Sequence, residues 1–152
     1  MIAVRRVTTL AIALTMALAW SVTVGTEPAD AASAVRFSYV QYNSPGSDRG
    51  SNTSLNAEYI VVKNYSSKSR NITGWTVRDK AGHVYKFGTL TLKPGATVTL
   101  HTGKGSNSSK HRYWRSTWYI WNNDGDVAVL KNRAGTKVDT CTWGSSGSAR
   151  KC

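Results

Sequence analysis

The stretch Glu58–Asp79 reads EYIVVKN, then YSSKSRN, then ITGWTVRD. Tyr59, Ile60, Val61 and Val62 are β-branched or aromatic, so the first piece predicts a strand. Ile72–Asp79 predicts another, with Trp75 and Val77 on one face and Thr76 and Arg78 on the other, since strand side chains alternate. Trp75 is the expected core anchor, because one buried indole removes on the order of 200 Å² from water. A ligand-binding face is the rival reading for this ring. The alternation of its neighbours is that of a half-buried strand and favours the core.

Outward from this stretch the same punctuation recurs. Val35–Tyr42 predicts a first strand, and the Ser/Gly/Asn-rich Asn43–Asn56 predicts a mobile link. Lys80-Ala81-Gly82 turns into HVYKF, where Tyr85 and Phe87 share a face. Lys93-Pro94-Gly95 has Pro and Gly at the two central positions of a type II turn. Thr97–Thr102 predicts a strand with Val98 and Leu100 inward and His101 outward, and Gly103–Ser109 a polar loop. Trp118–Trp121 and Asp126–Asn132 are expected to pair across Asn122–Gly125 as a hairpin. Arg133-Ala134-Gly135 leads to a final strand, Thr136–Trp143. No stretch has helical periodicity and no repeat is present, so the expected class is an all-β sandwich.

The series YIVVKN, TGW-x-V-x-D, Lys-Pro-Gly before TVTLHTG, and WNNDGDVAVLKN with an Ala-Gly turn and KVD resembles the lamin tail domain family. The resemblance runs from about Val35 to Trp143. It implies an immunoglobulin-like β-sandwich and brings no catalytic motif. It also implies, for bacterial members, an accessory module on secreted or surface proteins.

Residues 1–31 read as a secretory signal peptide. Arg5 and Arg6 form a basic start, Val7–Gly25 is largely apolar, and Ala29-Asp30-Ala31 fits a small-residue cleavage site, with Ala32-Ser33-Ala34 as a second choice. An uncleaved anchor is the alternative, and the arginine pair lacks the surroundings of a twin-arginine signal. No membrane span is expected once the leader is removed. The organisation expected is therefore a leader (1–31), one sandwich domain (32–143) and a Gly/Ser-rich tail (144–152). Export implies an oxidising compartment, where Cys141 and Cys152 are expected to form a disulfide. Closing about a dozen residues contributes roughly 3 kcal/mol in the chain-entropy picture and clips the tail back onto the last strand.

Chemistry-bearing patterns are few. GSSGS is spaced wrongly for a nucleophile elbow, and Gly103-Lys104-Gly105 is not a phosphate-binding loop. His83, His101 and His111 are scattered, and the acids left after cleavage suggest no acid–base pair. Asn123-Asp124-Gly125-Asp126 reads as a turn rather than a calcium loop, because a strand pattern follows it. Asn52, Asn64, Asn71 and Asn107 begin glycosylation sequons, which matter only in a glycosylating host. No catalytic residue, metal or cofactor is expected, and a nuclease fits poorly.

Charge is the positive signal. After cleavage 18 basic and 6 acidic residues remain, so the charge stays 18 − 6 = +12. No acid occurs in the 44 positions between Asp79 and Asp124. The densest piece is KGSNSSKHRYWRSTWYIW, Lys104–Trp121, where cations interleave with rings. Such a surface suits a polyanion, with phosphates on the cations and a ring on bases or sugars. Lys104, Lys110, Arg112 and Arg115 are the expected anion contacts and Trp114 the stacking ring, with Trp118 turned inward. Two readings stand: a secreted, monomeric, non-catalytic module gripping DNA, RNA or an anionic wall polymer, and a structural, surface-associated domain whose charge has no specific ligand.

Overall fold

The computed structural model describes residues 34–152; the leader, its primary cleavage site and Ala32 and Ser33 lie outside the described residues. Alternation builds the first layer. In β1 (Val35–Gln41) Val35, Phe37 and Val40 turn inward, with a register shift between Phe37 and Tyr39. In β2 (Tyr59–Asn64) Ile60, Val62 and Asn64 are buried while their neighbours are not. β7 (Thr97–His101) buries Val98 and Leu100. These three strands are the centre of a five-stranded sheet in the order β11-β1-β2-β7-β8, edged by β11 (Ala149–Lys151) and β8 (His111–Tyr113). The second layer is four-stranded in the order β10-β9-β4-β5, from β4 (Thr76–Arg78), β5 (Val84–Lys86), β9 (Asp126–Lys131) and β10 (Lys137–Trp143). A small sheet, β3 (Arg70–Asn71) with β6 (Thr91–Leu92), joins Arg70 to Leu92 and Asn71 to Thr91. This is the all-β, immunoglobulin-like sandwich.

Trp75 is 1% exposed in the core shared by the two layers, with Phe37, Ile60, Val77, Phe87, Leu100 and Leu130. The chain crosses from one sheet to the other between β2 and β4, the two elements of the deciding stretch. Asn64 ties that crossing down. Its buried amide nitrogen donates to Lys68 O, Leu92 O and Lys93 O at 2.8–3.1 Å, and its amide oxygen accepts from Ser66. The Lys93–Ala96 turn has its expected form, with Gly95 at φ 69° and Ala96 N–H donating to Lys93 O at 3.0 Å.

Cys141 on β10 is bonded to Cys152 just past β11. Since β11 pairs with β1 rather than with β10, the bridge joins the outer strands of two different sheets. On the same side Asp139 accepts the Phe37 N–H at 2.8 Å, where register shifts in β10 and β1 face one another. The tail is therefore a strand of the other layer and not a flap on the last one.

Two further expectations are corrected. Asn52–Ala57, placed in a link without helix, forms a short helix, α1. Ser51 caps it by accepting the Ser54 N–H, and Leu55 is its buried residue. One apolar residue in under two turns leaves no periodic trace. Trp118–Trp121 is not a strand, and β9 pairs with β10 and β4 instead. The reason is a contact distant in sequence: Ile120 N–H and Trp121 N–H donate to the buried Glu58 carboxylate at 2.8 and 3.3 Å, which leaves them nothing to offer a ladder.

Candidate functional site

The acid-free segment leaves β7 and returns as β8, which lies parallel to β7 at the sheet edge with Leu100 beside Arg112 and His101 beside Tyr113. The intervening loop is pinned by α1. Lys104 N–H donates to Asn52 Oδ1 at 2.7 Å, and Lys104 O accepts from the amides of Asn52 and Asn56 at 3.0 and 2.9 Å. Gly103 lets the loop sit close under α1, since a Cβ there would come 2.6 Å from Asn56 Oδ1 and 2.7 Å from Asn52 Oδ1 and push these side chains aside. Ser108 Oγ accepts the His111 N–H and Asn107 Oδ1 the Tyr113 N–H.

The five residues singled out by sequence are thereby sorted. Lys104 and Lys110 are exposed. Arg115 is exposed too. Its backbone N–H and its guanidinium donate to Gly103 O and Gly105 O, and its φ of 65° is left-handed, which few non-glycine residues adopt. Arg112, expected to face outward, is 8% exposed and donates to Thr89 O and His111 O. Parallel pairing with β7 puts it on the inner face, where its long stem packs and its head reaches carbonyls. Trp114 is half-buried. Its ring tilts against Tyr85 at 5.8 Å and meets Trp121 edge-on at 5.9 Å, continuing the core through Trp143 to Tyr42. Trp118, expected inward, is 59% exposed.

The outer face of the five-stranded sheet carries a row of rings, Tyr39–Tyr59–His101–Tyr113, with successive centroids 6.0, 5.7 and 5.0 Å apart. His101 Nδ1 lies 2.8 Å from Asn56 O, a pure acceptor, so Nδ1 carries the proton. His101 Nε2 is then the acceptor for His111 Nδ1 at 3.0 Å. Burial holds His101 below the usual imidazole range; the Asn56 carbonyl opposes this and His111 adds to it.

Glu58, at the junction of α1 and β2, was not singled out by sequence. It is 1% exposed. One carboxylate oxygen accepts from Thr102 Oγ1, Ile120 N–H and Trp121 N–H, while Oε2 is buried without a partner. Burial pushes its pKa up to about 7, against those hydrogen bonds. Other carboxylates are also committed to backbone. Asp79 accepts from Gly82 and His83 N–H, and Asp126 from Lys80, Asn122 and Val127 N–H. Among the described residues, Lys104, Lys110 and Arg115 have no carboxylate within ion-pair distance. Among the described residues no three His, Cys, Asp or Glu side chains converge as a metal site would need.

A sandwich of this strand order, with its Gly-Trp-x-Val strand buried at the centre, agrees with the family match: the Lamin Tail Domain model covers residues 28–145. The chain belongs to the Lamin Tail Domain family. No curated protein matches it significantly. In this lamin tail domain the candidate surface is the β7–β8 edge with the loop that α1 clamps. It brings exposed cations next to a row of rings.

Proposed function

We propose that this lamin tail domain is an exported, non-catalytic module that binds a polyanion through Lys104, Lys110 and Arg115. One observation carries the reading: the domain's carboxylates are largely committed to backbone N–H groups, so the acid-free edge keeps its charge unpaired. A field of that kind attracts phosphate-bearing polymers and holds them in a salt-dependent way. Export is supported by the basic-apolar-small pattern of residues 1–31 and by the Cys141–Cys152 bridge, which belongs to an oxidising compartment.

The test is affinity for duplex DNA, RNA and teichoic acid across a salt series. With three phosphates neutralised, log K against log salt for duplex DNA has a slope of about −2.7 from these residues. Changing Lys104, Lys110 and Arg115 together to Ser flattens the slope by about that amount. The control removes equal charge elsewhere, at Lys68, Lys137 and Lys151, all exposed. Equal losses from the two triples would mean a diffuse field without a site and would favour the structural, surface-associated reading.

A further inference from the structure

Among the described residues Trp118 is the most exposed large apolar side chain, and it is firmly held. Ser116 Oγ donates to Trp118 O at 2.6 Å and accepts its N–H at 3.2 Å. One face of the indole lies on Gly50: a Cβ there would come within 2.7 Å of Cζ3, and Gly50 has φ +67°. Tyr119 meets the indole edge-on at 5.5 Å and is itself fixed by a 2.6 Å bond between its hydroxyl and Ser54 Oγ. The ring is thus seated against Gly50 and Tyr119 while more than half of it stays exposed. Beside it is a pocket of about 150 Å³ lined by Gly50, Asn52, Leu55, Lys104, Ser116 and Thr117. Lys104 belongs both to this pocket and to the cationic edge.

Two other rings of the segment are already engaged. Tyr113 stacks on His101 at 5.0 Å and is covered on the loop side by Gly105, where a Cβ would come within 2.4 Å of the ring. Trp114 is engaged with Tyr85 and Trp121.

We propose that Trp118 is a stacking surface for a base of a single-stranded nucleic acid whose phosphates follow Lys104 and Arg115. The inference rests on the polyanion reading above and names its ligand class. A ring-free anionic polymer would use the cations and leave a rigid exposed indole without a role. A neutral glycan would use the indole and leave the cations without one. A single strand presents flat faces and regularly spaced phosphates together, whereas a duplex keeps its base faces stacked.

The experiment is fluorescence anisotropy with a labelled thymidine oligonucleotide and with an abasic strand of the same length, each at low and high salt. Trp118→Ala should weaken thymidine-strand binding roughly 5- to 150-fold, the range of one base–aromatic stack. It should leave abasic-strand binding and the salt slope unchanged. Gly50→Ala, which drives the ring from its seat, should lose part of the same affinity. The proposal is overturned if wild-type protein binds both strands equally, or if Trp118→Ala binds the thymidine strand as wild type does. In either case the polyanion reading survives, with charge alone as the grip. Binding of neither strand at low salt would overturn this proposal, while teichoic acid binding in the salt series described above would leave the broader reading standing.

Discussion

Glu58 makes the stability of this domain depend on pH in an unusual direction. Below pH 4.5 both folded and unfolded chains hold its proton. Between 4.5 and about 7 the unfolded chain has released it while the folded chain retains it, so stability falls as pH rises. At 1.36 kcal/mol per pKa unit the loss is roughly 3 kcal/mol by pH 8. Glu58→Gln keeps an acceptor oxygen for Thr102, Ile120 and Trp121 and cannot ionise. His101, held below the usual range, acts oppositely below about pH 6.5, but equally in both proteins. The measurement is urea unfolding of wild type and Glu58→Gln at pH 4.5 and pH 8. The difference between them should move by roughly 3 kcal/mol in favour of the glutamine variant. Curves that stay parallel would show that Glu58 ionises as an ordinary surface carboxyl does, and the buried-carboxyl argument would fail.

Trp75→Ala should cost about 3–5 kcal/mol in urea melts; a loss under about 1 kcal/mol would contradict its place in the core. Asn64→Ala leaves three carbonyls, the buried one of Leu92 among them, without their donor and should cost about 1–3 kcal/mol, read by thermal unfolding. Expressed in a glycosylating host, the protein should carry no glycan at Asn64 by mass spectrometry, because that amide is enclosed. Denatured, unreduced protein should show no free thiol, and Cys141→Ser with Cys152→Ser should lower stability by roughly 3 kcal/mol.

The central strands were legible because each has one wet and one dry face. β7 alternates as read, β2 was legible from its β-branched and aromatic run, and the Lys93–Gly95 turn carries its chemistry in its residue types. The edge strands were not, since β3, β6, β8 and β11 have only two or three residues each and no period can show in so few. The same shortness hid the direction of Arg112, which is set by pairing with β7 and not by its own neighbours. Trp118 was misplaced for a related reason: a strand was read where Glu58 withdraws the N–H groups of Ile120 and Trp121. A lone acid at the start of an apolar run gives no sign of burial, which comes from distant residues folding over it. The charge of the segment could be read from composition, but which ring stays open could not.

The pairing of β1 with β11 joins Tyr39 to Lys151, near the two ends of the described chain. Contacts so far apart in sequence close late, because the entropy of the intervening loop must be overcome first. In the folded chain the bond between Cys141 and Cys152 ties β11, seated beside β1, to β10 of the other sheet. Once formed, it is a covalent stitch between the edges of the two layers, holding the strand that long-range pairing has to recruit.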